Sequence, residues 1–360
     1  MFEAFGTLGG TWVAGLAIGG VIGAAVLLTN FCALGGIADI LFAKDWRRFR
    51  AWVLAVGVAI VGSHVLDAAG LVSLDRATTL APYIPWLPAL LGGLLFGFGM
   101  ALGGGCISRG LARVGAGSLK SFMIIVVIGL SAAVTMTWLA PVQATLERTA
   151  VIGTFGPAGL HRIFGNLPFL AAETVRWLFV GIIGGSLLWF ALKDSWFRSS
   201  RDHLAGGFIV GAMVVAAWFV AGRVFETSGA LSFTAINLVP PLGEMVLAPG
   251  GRTIDLFPLI LLSGIPLGAF VAGLLTRNLA FDTFFQRDDV LRSLIGAVLM
   301  GIGGTLAGGC TFGQGLSGLS TLAPASFIAV AGIIAGCIWG IRYHEAGSLW
   351  GGLKLALTRG

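Results

Sequence analysis

Three cysteines in glycine-rich stretches of an otherwise apolar chain are the residues best suited to chemistry. Cys32 lies in TNFCALGGIAD, Cys106 in GGGCISRG and Cys310 in LAGGCTFGQGLSG. Glycine costs about 1 kcal/mol per helical position, so the glycines just before Cys106 and Cys310 predict that a helix ends there. A broken helix leaves backbone N–H groups that bind anions. We therefore expect two broken or re-entrant segments, one per half, each presenting one thiol beside free N–H groups.

The chemistry that such thiols favour is weak binding of an anion. A protonated thiol is a weak hydrogen-bond donor, whereas a thiolate would repel an anion, so we expect the thiols to stay protonated. A transport path needs sites that hold an ion briefly and release it. Weak donors meet that need better than an arginine, whose charge-assisted bonds are roughly twice as strong. The soft sulfur atom suits a sulfur-bearing anion.

Two other cysteine chemistries have less support. A membrane protein that exchanges disulfides with a quinone or a partner protein usually has accessible, electropositively placed cysteines, and this chain has no C-x-x-C pair. A soft-metal permease would need thiolates or clustered Met and His ligands, and the chain has four His. Cys337, in IIAGCIWGI, lacks a glycine run and is interpreted as a packing residue. We predict no metal, no cofactor and no catalysis.

The elements that position the thiols are predicted to be membrane-spanning helices. Charged residues make up 11% of the chain and hydrophobic residues 57%, a balance that cannot cover a water-exposed surface. Nine stretches are long and apolar enough to cross a hydrocarbon core of about 30 Å. They are 12–31, 51–71, 86–102, 119–139, 175–192, 204–222, 256–275, 291–306 and 322–341. The fold class is therefore an all-α polytopic membrane protein.

The distribution of positive charge predicts the orientation. If the N-terminus lies outside and nine spans alternate, the outer segments hold Arg76, Arg148, Arg162, Arg176, Arg223 and Arg252, which leaves sixteen of the 22 Lys and Arg inside. This excess follows the positive-inside rule and places the C-terminus in the cytoplasm. The net charge of +6 then reflects topology and does not indicate nucleic acid as a partner.

Two segments of the chain repeat each other. Residues 90–106 and 294–310 align at a constant offset of 204 with nine identities in seventeen positions, including the glycines and the cysteine. The copies lie in the third and the eighth span, an odd number of crossings apart, so they are inverted. Inverted repeats place the substrate path where the copies meet. We expect one membrane domain over 1–360, with half-repeats at 1–140 and 204–360 joined by 141–203, which contains the fifth span.

The three motifs together resemble those of the YeeE/YedE sulfur-transport family. They are NFCALGGIAD, GGGCISRGLARVG and GGCTFGQGLSGLSTLAPASF, in this order. The resemblance implies an hourglass-like helical protein with inverted halves and short re-entrant helices that imports thiosulfate across the bacterial inner membrane. By position it implies that Cys310 serves the outer vestibule, Cys106 the constriction and Cys32 the inner side. It also implies a cytoplasmic sulfur-carrier or rhodanese-like partner.

Two departures from the family pattern leave the substrate open. Ile107 stands where many relatives have proline, and Gln314 stands where many have histidine; Gln314 still donates a hydrogen bond but cannot titrate. Thiosulfate is the expected substrate, and another sulfur or selenium species is the alternative. Arg109 has two interpretations, since it draws an anion inward or only anchors the chain at the inner face. The predicted substrate path comprises Cys32, Cys106, Cys310, Gly104, Gly105, Gly308, Gly309, Gln314 and Arg109.

Overall fold

The computed structural model describes residues 2–149, 151–153, 159–160, 172–228, 233–247, 256–277, 279 and 287–358. The helices of this part of the chain are α1 (Phe2–Thr29), α2 (Ala33–Ala43), α3 (Arg47–Ala68), α4 (Trp86–Gly103), α5 (Ile107–Gly115), α6 (Leu119–Thr137), α7 (Ala140–Thr149), α8 (Ala172–Phe179), α9 (Gly185–Leu192), α10 (Ser195–Ser199), α11 (Arg201–Ser228), α12 (Val239–Leu247), α13 (Leu256–Thr276), α14 (Arg287–Leu306), α15 (Pro324–Ala346) and α16 (Leu349–Thr358).

The other regular elements are short. Single 3-10 turns cover Leu74–Arg76 and Thr78–Leu80, and π-helical turns cover Val180–Gly184 and Gly313–Gly318. Two-residue strands, β1 (Tyr83–Ile84) and β2 (Ile152–Gly153), pair antiparallel. The turn Val180–Gly184 joins α8 to α9 without a break, so these elements form one crossing.

The predicted all-α polytopic membrane fold is confirmed. Within the described residues, nine helical stretches are long and apolar enough to cross a membrane, and each overlaps one predicted span. Two of them, Trp12–Ala43 and Trp86–Gly115, run past the predicted ends because a short helix follows directly after the main one. These two extensions begin beside Cys32 and Cys106. In lipid, backbone groups must be satisfied internally, which is why apolar stretches of this length become helices.

The two copies of the repeated motif helix, α4 and α14, cross in opposite directions. A Cβ on Gly92 would lie 2.7 Å from the carbonyl oxygen of Gly303, and a Cβ on Gly99 would lie 2.7 Å from that of Gly296. The earlier glycine of one helix thus contacts the later glycine of the other, which defines an antiparallel pair. Small residues at this crossing let the two backbones touch.

The remaining spans pack in two matching sets around this central pair. Helix α1 packs on α13 and α3 on α11, while α4 packs on α15 and α6 on α14. If the first four spans correspond to the last four, each of these contacts has a counterpart in the other half. The antiparallel crossing and these matched contacts are what an inverted repeat requires. The half-repeat boundaries and the hourglass outline stay predictions.

Ion pairs link the ends of neighbouring helices. Arg50 at the start of α3 pairs with Asp194 after α9, and Arg176 in α8 pairs with Asp67 at the end of α3. Each pair joins two residues that the predicted topology places on the same side of the membrane. These charged side chains lie at the helix ends, outside the apolar core, where their pairing stabilises the bundle.

Candidate functional site

The first thiol begins a helix. Helix α1 ends at Thr29, Asn30 adopts a left-handed φ of 53°, and Cys32 is the N-cap of α2. The Cys32 sulfur accepts a hydrogen bond from the Gly35 N–H at 3.5 Å. An N-cap normally uses a side-chain oxygen for this contact, and here sulfur takes that position.

The second thiol has the same relation to α5. Helix α4 ends at Gly103, and Gly104 closes it with a left-handed φ of 74°, which glycine adopts without steric cost. Cys106 is the N-cap of α5, and its sulfur lies 3.1 Å from the Ser108 hydroxyl. Broken backbone at membrane depth survives only where protein or a wet cavity surrounds it.

The third thiol follows the same kind of helix end. Helix α14 ends at Leu306, and Gly308 has a left-handed φ of 70°. The Cys310 sulfur accepts the Phe312 N–H at 3.4 Å, and the Cys310 carbonyl accepts the Gln314 N–H at 2.7 Å. A π-helical turn then continues the chain, a form that frequently occurs at functional sites.

Two of the thiols are in contact although 74 positions separate them. The Cys32 thiol donates to the Cys106 sulfur at 3.7 Å. All three motif cysteines are buried, with 1–2% of their surface exposed, and all four cysteines are free thiols. The contact between the N-cap residues of α2 and α5 therefore creates a paired thiol site that neither motif contains alone.

A basic cavity of about 200 Å³ adjoins this pair. We call it the basic cavity because Arg109, Arg113 and Lys120 line it, together with Asp289, which pairs with Lys120. Its walls also include Gly103, Gly104, Gly105 and Cys106, together with the hydroxyl-bearing Ser118 and Ser121. In the described part of its wall, three cations against one carboxylate give a net positive field that attracts anions.

An uncharged cavity of about 150 Å³ lies at the other end of α4 and α14. Its described lining contains no Asp, Glu, His, Lys or Arg and includes Thr78, Thr79, Thr234, Asn237, Gly308 and Gln314. Pro85, just before α4, and Ala89, in its first turn, line this cavity. Residues 103–105, which are the last residue of α4 and the two that follow it, line the basic cavity. The 18 residues of α4 cover about 27 Å, so the two cavities enter the bundle from opposite sides.

Two side-chain amides brace the third motif. The Gln314 amide donates to the Ala307 carbonyl at 2.7 Å and accepts a hydrogen bond from the Ser326 hydroxyl. The Asn237 amide donates to the Gly308 carbonyl at 2.9 Å. These bonds satisfy carbonyls that the broken end of α14 leaves without helical partners. The shape of the uncharged cavity therefore depends on neutral hydrogen bonds.

Comparison with known proteins places the chain in a family. A family profile described as "Sulphur transport" matches residues 28–339, a range that contains all three cysteine motifs. The chain belongs to this sulphur transport family. It is similar to the thiosulfate transporter TsuA of Escherichia coli K12, with 25% identity over 358 residues that cover 91% of this chain and 92% of the relative. The thiosulfate transporter TsuA of Spirochaeta thermophila is 25% identical over 338 residues, covering 89% and 96%.

The predicted site residues of this sulphur transport family member separate into three groups. Gly104, Gly105, Cys106 and Arg109 line the basic cavity, and Gly308 and Gln314 line the uncharged one. Cys32 and Cys310 are buried, and neither lines either cavity; Gly309 is buried beside the Asn237 amide. The structure thus brings Cys32 and Cys106 together next to the basic cavity and buries Cys310 in the motif whose Gly308 and Gln314 line the uncharged one.

Several residues of the site were not identified from the sequence. Asn237 braces the third motif from the segment that precedes α12, and Phe31 packs against Phe312. Lys120 and Asp289 pair across the basic cavity although 169 positions separate them. A lone amide in the apolar stretch TAINLVPP was the available signal for Asn237. No local pattern indicates the other contacts.

Proposed function

We propose that the protein imports thiosulfate across the bacterial inner membrane, with its N-terminus outside and its C-terminus in the cytoplasm. The observation that carries this proposal is the contact between the Cys32 and Cys106 thiols next to the basic cavity. Both TsuA relatives are named thiosulfate transporters, which supports the same substrate. Transport leaves the bonds of the anion intact, so the protein is no enzyme in this proposal.

The proposed path runs from the uncharged cavity past Cys310 to the Cys32–Cys106 pair and then into the basic cavity. Protonated thiols and backbone N–H groups near Gly104, Gly105, Gly308 and Gly309 hydrogen-bond the anion at each stage. Each donor is weak, so the anion is not trapped. Gln314 keeps the outer part of the path in shape, and its second amide hydrogen donates to the passing anion.

The basic cavity has an electrostatic role in this proposal. Moving a dianion inward against an inside-negative potential costs about 4.6 kcal/mol per 100 mV, because each charge contributes about 2.3 kcal/mol. Arg109, Arg113 and Lys120 lower the energy of the anion on the inner side. They do not alter the overall equilibrium, but they reduce the barrier that the last step presents. Of the two interpretations of Arg109, this proposal adopts the one in which it draws the anion inward.

The proposed partners are the lipid bilayer and a soluble cytoplasmic protein. A sulfur-carrier or rhodanese-like protein that consumes the anion at the basic end would keep the inner concentration low. The resemblance to the sulfur-transport family supports such a partner. Co-purification of the chain with such a protein from its own cells tests this part separately.

The central test is uptake of labelled thiosulfate by cells that lack other routes. Losing one hydrogen bond to a charged group costs about 1.5–3 kcal/mol, so Cys32→Ala, Cys106→Ala and Cys310→Ala are each expected to slow uptake at least about tenfold. Cys337→Ala is the matched control, because Cys337 is equally buried in α15 outside the motifs. Equal uptake by all four variants at equal expression would reject the thiol path. Sulfate, sulfite and selenium compounds as competitors identify the preferred species.

The thiol contact also favours a second candidate, a membrane thiol–disulfide protein. Two thiols 3.7 Å apart need only a small shift to form a bond. Their oxidation would release two protons and two electrons to a quinone or a disulfide-bearing partner. Mass analysis of alkylated protein during turnover separates the candidates, because transport leaves both thiols reduced and redox chemistry requires the disulfide.

A further inference from the structure

Two phenylalanines connect the first and the third cysteine motif. Phe31 directly precedes Cys32, and Phe312 lies two residues after Cys310. Their rings meet edge to face with centroids 6.1 Å apart and an interplanar angle of 75°. Phe31 and Phe312 expose 2% and 1% of their surface. This contact joins the first cysteine motif to the third one.

The ring pair lies next to residues at both ends of the proposed route between the cavities. On one side, Phe31 adjoins Cys32, whose sulfur contacts Cys106 in the wall of the basic cavity. On the other side, Phe312 adjoins Gly313 in the wall of the uncharged cavity. Neither ring lines either cavity. On the proposed path, an anion that passes from Cys310 to Cys32 would therefore meet the ring pair.

An aromatic contact of this kind is a barrier to ions. It presents no donor to replace the hydration shell of an anion, and narrow apolar constrictions gate by excluding water. The face of each ring is the negative side of its quadrupole, so it repels an anion. The closed pair blocks small anions that cannot use the thiols on either side.

The backbone next to each ring permits movement. Phe312 is followed by the π-helical turn Gly313–Gly318, which contains three glycines. Phe31 follows Asn30, which holds a left-handed conformation between α1 and α2. Both rings thus lie at chain breaks, whereas most buried aromatic side chains of this fold are fixed on continuous helices. A substrate held by Cys310 can displace Phe312 without unfolding a helix.

We propose that Phe31 and Phe312 form the gate of the path, and that they set its selectivity by staying in contact until an anion bound at the thiols separates them. This proposal rests on the transport function proposed above. It assigns to the ring pair a role that the thiols cannot fulfil, because donors attract anions and do not exclude them.

The test measures two fluxes in the same proteoliposomes, namely labelled thiosulfate uptake and iodide influx, the latter read by quenching of a trapped dye. Removing either ring abolishes the aromatic contact, so Phe31→Ala and Phe312→Ala are expected to raise iodide influx about two- to tenfold. Phe312→Trp, which enlarges the ring, is expected to slow thiosulfate uptake without adding an iodide leak. Phe197→Val is the control for loss of a fully buried ring elsewhere, in α10, and should leave iodide influx unchanged.

The outcomes separate the gate from the transport function. Wild-type iodide influx in both alanine variants would overturn the gate. If an alanine variant does not fold, Phe31→Val or Phe312→Val removes the ring while keeping an apolar side chain and gives the same readout. If wild-type protein does not take up thiosulfate, the proposed function fails, and the iodide measurement still decides whether the ring pair closes the path.

Discussion

The basic and the uncharged cavities surround two copies of the same motif with opposite chemistry. Both copies end a helix with two glycines and a cysteine, and both place a left-handed glycine, Gly104 or Gly308, two residues before the thiol. Around Cys106 the cavity walls carry three cations and one carboxylate. Around the third motif, amides and hydroxyls hold the backbone, and the described cavity wall contains no charged side chain.

This difference shows what an inverted repeat can vary. The glycine crossing of α4 and α14 must be the same in both copies, because the two helices contact each other there. The neighbours that complete each cavity come from unrelated segments, so their charges are free to differ. In the proposed function, neutral donors receive the anion outside and a positive field draws it inside. The four predictions below test this asymmetry, beginning with the part that both copies share.

The shared helix crossing should be the least tolerant feature. In Gly303→Ala, the new Cβ would lie 2.6 Å from the Gly92 carbonyl oxygen, so the two motif helices must separate. Overpacking a close interface costs about 1–3 kcal/mol and sometimes more. We expect a lower melting temperature in detergent and loss of uptake. Gly185→Ala has open space around the new methyl group and is the control. Equal melting temperatures for the two variants would contradict the crossing described above.

The uncharged cavity should depend on its amide brace. Gln314→Ala leaves the Ala307 carbonyl and the Ser326 hydroxyl without their partner, and a buried polar group without a partner costs about 1–3 kcal/mol. We expect thiosulfate uptake to fall about tenfold while added salt has little effect on the remaining rate. Thr276→Val, which removes a neutral hydrogen bond of a residue that lines neither cavity, is the control. Unchanged uptake in Gln314→Ala would show that transport does not depend on the Gln314 hydrogen bonds.

The basic cavity should depend on charge. Arg109→Gln keeps a polar side chain of similar length but removes one of three cations, and we expect uptake to fall about three- to tenfold, the effect of losing up to 1.4 kcal/mol. High internal salt should reduce the difference from wild type, because salt screens exposed charges. Arg198→Gln changes an exposed arginine that does not line the cavity. A loss that is independent of salt would mean that Arg109 acts by packing.

The ion pair across the basic cavity should give the smallest effect. Asp289 is 46% exposed, and such pairs contribute about 0–1 kcal/mol, so Asp289→Asn should hardly change the melting temperature. It removes the carboxylate beside Lys120, and we expect a severalfold lower apparent KM for thiosulfate. Asp202→Asn, an exposed carboxylate outside the cavity, serves as the comparison. A higher KM in Asp289→Asn would contradict this prediction and would mean that the Lys120–Asp289 pair has only a structural role.

The membrane crossings could be predicted from the sequence because the signal is local. Lipid offers no hydrogen bonds, so about 20 consecutive apolar residues fold as a helix whatever surrounds them. The glycines before Cys106 and Cys310 predicted helix ends by the same local reasoning, and helices end there in the structure. The break before Cys32 was less evident, since its glycines follow the thiol and the helix ends at Thr29.

The sequence by itself determined the apolar helices, the helix ends before Cys106 and Cys310, and the antiparallel relation that the repeat implies for α4 and α14. Only the tertiary structure decided which side chains meet at those breaks. The Cys32–Cys106 contact, the Phe31–Phe312 pair and the Asn237 brace each join segments more than 70 positions apart. Helix formation depends on neighbours along the chain, whereas these contacts depend on how closely small residues let whole helices approach.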